Sequence, residues 1–186
     1  MVRWIDGGLA QGGAGAAAGT ADRRASRESV SADNARPRYT AGVAAAITIR
    51  ELGIDERTWA DERYRAIGFA ETPAGALALV AEHAGRRVGL GRLVEHAPGV
   101  VELGGIWTDE AARGAGVARA MVTALLGRVA VAAGLWCIPF RHLLAFYQSF
   151  GFTDAALPWP APIARKAAAL IAQEQPIAVL ALHRRR

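Results

Sequence analysis

Ile106 to Leu126 reads IWTDEAARGAGVARAMVTALL, and the reading of the whole chain turns on it. A predicted strand runs into a short glycine-rich loop, and the loop opens directly into a long apolar helix. Gly114 and Gly116 mark the turn. Without a Cβ, glycine lets the backbone bend sharply and approach a ligand closely. The first amides of the helix that follows have no intrahelical partner, and the helix dipole adds partial positive charge at the same end. Such an end binds anions, most naturally a phosphate.

Two familiar phosphate loops do not fit. A nucleoside-triphosphatase loop needs Gly-Lys-Ser/Thr, which the chain lacks. A dinucleotide fingerprint needs a third small residue where Arg119 stands. What remains is Arg113-Gly114-Ala115-Gly116-Val117-Ala118. This string resembles the R/Q-x-x-G-x-G/A pyrophosphate loop of the GCN5-related N-acetyltransferase (GNAT) superfamily. A second motif of that family, aromatic-Tyr-x-x-x-Gly-Phe, follows as Phe146-Tyr147-Gln148-Ser149-Phe150-Gly151-Phe152. Two motifs in this order, about thirty residues apart with a predicted strand between them, are more specific than either alone. The resemblance covers roughly Ala44 to His183.

Composition sets the outer bounds. A chain of 186 residues is long enough for one domain with a proper core. No apolar run approaches the ~18 residues of a membrane span. The first residues carry Asp6 and many glycines in place of a signal core, and Cys137 is the only cysteine. These features point to a cytoplasmic protein without membrane partners. The net charge is +5, almost all of it arginine, with Lys166 the only lysine. Arg23, Arg24, Arg27, Arg36 and Arg38 lie near the start and Arg184 to Arg186 at the end. Basic ends can bind nucleic acid. No basic residues alternate with aromatics as a nucleic-acid groove requires, so solvated ends are the better reading.

Met1 to about Gly42 is rich in Gly, Ala, Ser and Arg and has neither a 3.6 nor a 2.0 period. Such a segment buries too little apolar surface to offset its ordering entropy, and reads as disordered or loosely attached. Residues 43–186 read as one N-acetyltransferase domain. Val43 to Arg50 reads as a strand and Asp55 to Ile67 as an amphipathic helix. Ala76 to Glu82 and Val88 to Glu95 form a hairpin, and Val100 to Thr108 a central strand. Gly104-Gly105 inside that strand predicts a bulge or a close backbone approach. A helix is expected from Gly116 to Ala133, capped by Gly134. Then come a strand at Leu135 to Ile138, a helix at Arg141 to Phe150, and a short strand at Thr153 to Leu157. A helix at Pro162 to Glu174 and a strand at Ile177 to Leu182 close the chain. This order predicts an α/β (α+β) sandwich with a mixed central sheet flanked by helices.

The GNAT resemblance implies more. The fourth and fifth strands splay apart, and the pantetheine of acetyl-CoA, the cosubstrate, lies between them. Its amides pair with the fourth strand at Ile106 and Thr108, like an added strand. The pyrophosphate rests on Arg113, Gly114, Ala115, Gly116, Val117 and Ala118. Family sequences usually carry Val at Thr108 and often Pro at Glu110, but backbone atoms make these contacts. An amine attacks the thioester and a thiolate leaves. Tyr147 stands at the family's tyrosine acid. Glu102 resembles the glutamate base of the histone-acetyltransferase branch.

Each assignment has a plainer rival. Tyr147 has a plainer role open to it, as an aromatic packed under the sheet with its hydroxyl satisfied elsewhere. Glu102 fits as an exposed carboxylate on the polar face of its strand, with His83 and His96, at strand ends, as substitute bases. His142 starts a helix and interacts locally. Cys137 reads as an inert buried thiol. Asp55, Glu56, Asp61 and Glu62 could draw a cationic acceptor, but a solvated helix face explains them as well. No cluster has metal-ligand spacing, so no metal is expected. The acceptor is an unidentified primary amine, and a homodimer stays open. Rival functions are a non-catalytic acyl-CoA-binding module and an arginine-rich nucleic-acid-binding protein.

Overall fold

The computed structural model describes residues 46–129 and 134–182 of the chain. The predicted disordered segment 1–42 and the basic tail lie outside them. Seven strands form one sheet: β1 (Thr48–Glu51), β2 (Leu77–His83), β3 (Arg86–Ala97), β4 (Val100–Thr108), β5 (Gly134–Cys137), β6 (Thr153–Asp154) and β7 (Leu180–Leu182). Their spatial order is β1-β2-β3-β4-β5-β7-β6. Only β4 and β5 pair in parallel; every other neighbour is antiparallel. The helices are α1 (Arg57–Ala66), α2 (Val117–Leu126), α3 (Leu144–Gln148) and α4 (Ala161–Ala172). This is the mixed sheet flanked by helices that the order of elements in the sequence predicts.

Strand alternation sorts the core to the two faces. Leu79 and Ala81 of β2, Leu93 of β3 and Leu103 of β4 meet Val117, Met121, Val122 and Leu125 of α2. Val80 and Leu90 point the other way, onto Ala60 and Tyr64 of α1. Trp136 on that second face packs with Ile163 and Ala167 of α4. α2 lies very close to β3 because Gly89 and Gly91 face it. A Cβ at Gly89 would stand 2.6 Å from Val117 Cγ1, and one at Gly91 2.7 Å from Met121 Cγ. The hairpin turn falls at Ala84 and Gly85, both with positive φ, as a two-residue β-hairpin requires.

Several boundaries differ from the sequence reading, and one helix end is a correction. α2 stops at Leu126 with Gly127 as its C-cap, so Gly134 is not the cap. Gly134 instead opens β5, its N–H donating to Gly99 O at 2.9 Å. The first helix is preceded by a separate tight turn at Ile54–Glu56. Two of the four acidic residues there, Glu56 and Asp61, have structural partners. Glu56 accepts from Arg50 at 2.6 Å and from the Gly53 N–H at 3.0 Å, and Asp61 accepts from the Thr72 N–H at 2.9 Å. The Arg50 hydrogen bond is the main reason the Glu56 carboxyl is lowered to about 2. Among the described residues no helix is long and apolar enough to cross a membrane.

Candidate active site

β4 and β5 pair only at Val100↔Gly134, Val101↔Leu135 and Glu102↔Trp136. Beyond Glu102 the two strands part, and residues 103–108 of β4 have no strand partner on the β5 side. The Asp109 N–H donates to Val88 O at 2.8 Å, on the β3 side. Backbone groups alternate along a strand, so Trp107 also turns toward β3. Ile106 and Thr108 therefore turn their backbone groups to the open side. A bulge accompanies the parting: the β3–β4 register shifts between Leu90 and Arg92, and Gly105 has φ +62°. A Cβ on Gly105 would meet Tyr64 Oη at 2.9 Å and Arg92 Nε at 3.0 Å. Bulge and close approach both occur at the glycine pair, as its sequence predicts.

At the end of β4 the chain turns through Glu110–Ala112 into the loop. Asp109 Oδ1 accepts from the Ala111 N–H at 3.0 Å and fixes that turn. Gly114 and Gly116 adopt φ +80° and +85°, Gly116 being the N-cap of α2. Only glycine takes this conformation without strain. No atom lies within 4 Å of a Cβ built on either one, so conformation and not crowding demands glycine here. The amides of Arg113 and Ala115 are already engaged, each at 3.3 Å, by Glu110 O and Ala112 O. Those of Gly114, Gly116, Val117, Ala118 and Arg119 find no protein acceptor among the described residues. The Arg119 side chain donates to Ser149 Oγ at 3.2 Å and lies 5.0 Å over the Phe150 ring, beside these amides. This cradle fits a pyrophosphate by the chemistry of its donors.

Tyr147 sits on α3, on the α2 face of the sheet, only 5% exposed and packed edge-on to Phe146 and Phe152. Burial raises its hydroxyl well above the ordinary phenol range, and the neighbouring Cys137 thiol raises it further. Cys137 is itself buried, and desolvation pushes its thiol up strongly, which keeps it neutral and unreactive. The next contribution to that shift comes from the Glu102 charge. Cys137 thus stands between Tyr147 on one face and Glu102 on the other.

Glu102 is 3% exposed, not a solvated carboxylate. Its Oε2 lies 2.7 Å from His96 Nε2, and its Oε1 accepts from Lys166 Nζ on α4. The other ring nitrogen of His96 has no protein partner among the described residues. His83 lies apart from this group, with a buried Nδ1 that makes no hydrogen bond. His142 stacks on Phe140, centroids 5.8 Å apart. Lys166 on α4 and the buried Arg92 on β3 are the residues the sequence does not single out. The one available signal for Lys166 was its being the chain's only lysine; for Arg92 it was a charge inside the apolar run of β3. Among the described residues no group of three or more His, Cys, Asp or Glu could hold a metal ion.

Residues 74–154 match the family model described as acetyltransferase (GNAT) domain. Over that segment, which is less than half of the chain, the sequence resembles a GNAT domain. The matched segment holds the amide cradle, Tyr147 and Glu102, whereas α1, α4 and β7 lie outside it. Comparison with curated proteins gives no match. Solved structures share the fold at low identity. N-acetylglutamate synthase from Neisseria gonorrhoeae, complexed with coenzyme A and N-acetyl-glutamate, superposes with a TM-score of 0.59 at 13% identity. That match covers 76% of this chain but 36% of the synthase, so the chain spans about a third of the synthase's length. Rv2747 from Mycobacterium tuberculosis, in complex with CoA, gives 0.56 at 18% identity over 73% of this chain and 98% of its own. An acyl-CoA N-acyltransferase from Pseudomonas aeruginosa gives 0.54 at 16% identity over 75% and 99%.

The cradle gives a direct test. Gly116→Val forces a β-branched residue into φ +85° at the helix N-cap, and the loop must rearrange to relieve it. Acetyl-CoA affinity is expected to fall about tenfold or more, measured by calorimetry on a variant that melts as wild type does. Unchanged affinity in a folded variant would remove the cradle from the cosubstrate site.

Proposed function

We propose that the protein is an acetyl-CoA-dependent N-acetyltransferase that acylates a primary amine by direct attack on the thioester. The observation that carries this reading is the β4–β5 gap with free amides at its mouth; Glu102 at the last paired position and Tyr147 beside Cys137 at the end of β5 support it. The free backbone edge at Ile106 and Thr108 would hold the pantetheine as an added strand holds to a sheet. The amides of Gly114, Gly116, Val117, Ala118 and Arg119 would take the pyrophosphate. Tyr147, protonated at neutral pH, offers its O–H to the departing thiolate.

Deprotonating the acceptor falls to the Glu102–His96 pair. A lysine-like amine has a pKa of about 10.4 and is mostly protonated at pH 7, so its attack needs a proton acceptor. Both Glu102 oxygens are occupied in the free protein. With Nε2 held by the carboxylate, His96 can take the proton at its free nitrogen. Alternatively, Lys166, whose side chain is 44% exposed, swings aside and Glu102 takes it.

The experiment is an acceptor screen. The protein is mixed with acetyl-CoA or longer acyl-CoAs and a panel of amines, with free thiol and product mass as readouts. Release of CoA thiol with a matching acylated amine is the expected result. Binding of acetyl-CoA without transfer to any amine would identify a non-catalytic acyl-CoA-binding module instead.

A further inference from the structure

Arg92 is the one buried cation of the structure that no described carboxylate pairs. It is 7% exposed. Its guanidinium lies 4.5 Å over the Tyr64 ring, and its only hydrogen bond among the described residues is a long one, Nη1 to Thr72 Oγ1 at 3.4 Å. Buried charges in proteins are normally paired, because an unpaired one forfeits its hydration for nothing. The other buried charge here obeys that rule: Glu102 is held by Lys166 and His96. A guanidinium has five donors in a planar fork suited to a carboxylate, and most of these donors are unused.

Its position tells what the missing partner is. Arg92 of β3 stands opposite Gly104 of β4, and Glu102 stands opposite Val94, two residues along the same face. Arg92, Gly104 and Glu102 therefore share the α1/α4 face, across the sheet from Tyr147. Between the two charges the floor is bare. A Cβ on Gly104 would have a single neighbour within 4 Å, Glu102 Oε1 at 3.2 Å. Gly105 lies directly beneath Arg92, whose Cγ would be 3.1 Å from a Cβ there. Gly104 thus floors a short space with a cation at one end and a carboxylate at the other, while Tyr64 and Arg92 cover Gly105. Lys166 already shows that a primary ammonium can dock on Glu102.

We infer that Arg92 anchors the anionic group of the acceptor, and that the acceptor is a small amino acid with its amine toward Glu102 and the thioester gap. The inference rests on the N-acetyltransferase reading and names its substrate class. The two ends lie two residues apart along a strand that rises about 3.3 Å per residue, a span short enough for an amino acid. A polyamine would set a second cation against Arg92, and like charges disfavour it.

The test uses the twenty L-amino acids and their C-terminal amides, which keep the amine and lose the charge. Wild type is expected to acylate at least one free acid with kcat/KM about tenfold or more above that of its amide, the worth of a charged hydrogen bond. In Arg92→Gln the ratio of acid to amide should collapse toward one, chiefly through KM for the acid, while Arg92→Lys keeps part of the preference. A wild type that acylates amides as well as acids overturns the inference even if the variants fail to fold. So does a folded Arg92→Gln in which acid and amide fall by the same factor, since that marks a structural arginine. If no amine of any kind is acylated, the enzyme reading itself has failed. Calorimetry with CoA present then decides the anchor: binding of an amino acid but not its amide, lost in Arg92→Gln, supports it. Absence of any amino-acid binding overturns it.

Discussion

Tyr147→Phe is expected to lower the turnover number about 10²- to 10⁴-fold, the usual contribution of a general acid, while leaving acetyl-CoA affinity nearly unchanged. The substitution keeps the ring that packs against Phe146 and Phe152 and removes only the hydroxyl. The cradle amides and the free edge of β4 are on other elements, so cosubstrate binding should survive. The lower end of the range is the better expectation. Burial and Cys137 hold the Tyr147 hydroxyl above the ordinary phenol range. A CoA thiol resembles a cysteine thiol, with pKa about 8.5, so its thiolate is a weaker base than the buried phenolate. The phenol then acts mainly by hydrogen-bonding the charge that develops on sulfur, with full proton transfer late or from solvent. The same raised hydroxyl stays protonated as pH rises, so the wild-type rate should not decline near pH 10 through loss of this proton. Single-turnover kinetics check both points. Full turnover in Tyr147→Phe with chemistry rate-limiting would hand the proton to water or to another group.

How much of this was legible in the sequence varies with the kind of information each residue carries. β4 was readable to the residue, because Pro98-Gly99 and Asp109 punctuate it, and its glycine pair announced the bulge. The cradle was readable because a helix N-terminus after two glycines is a local pattern. The end of α2 was not. Its apolar, alanine-rich pattern continues past Leu126, and a lone Gly127 costs only about 1 kcal/mol against a helix, too little to mark a boundary. β7 was read as longer than it is, since β5 ends at Cys137 and leaves little for the preceding residues to pair with. Here Phe140↔Ile177 survives as an isolated bridge. The acceptor face was the least legible part. Its character comes from contacts between residues far apart in the chain: Lys166 with Glu102, Arg92 with Thr72, Tyr64 with Gly105. α1 and α4, which supply that cover, lie outside the segment matching the family model. The matched segment thus holds the amide cradle together with Glu102 and Arg92, and the helices that cover those two charges come from outside it.

The proton acceptor can be separated from its neighbours by the shape of a pH profile. Glu102→Gln is expected to cut turnover near neutral pH by about 10²-fold, at the low end for a lost general base. The loss should shrink as pH rises, because an acceptor amine with pKa about 10.4 then deprotonates unaided. Folding should survive the change. Truncating one partner of a buried ion pair is severe when the other charge stays buried, but the Lys166 side chain is 44% exposed and can turn to water. His96 loses its anionic partner while keeping an amide oxygen within reach of Nε2. His96→Gln then divides the two routes. If the pair works as a unit with His96 taking the proton, this variant should show the same pH-dependent loss as Glu102→Gln. If Glu102 takes the proton directly, His96→Gln should keep a near-wild-type profile while Glu102→Gln does not. A Glu102→Gln enzyme with wild-type turnover and an unchanged profile would show that the carboxylate serves packing alone. The amine would then have to reach the thioester already neutral, by desolvation in its pocket.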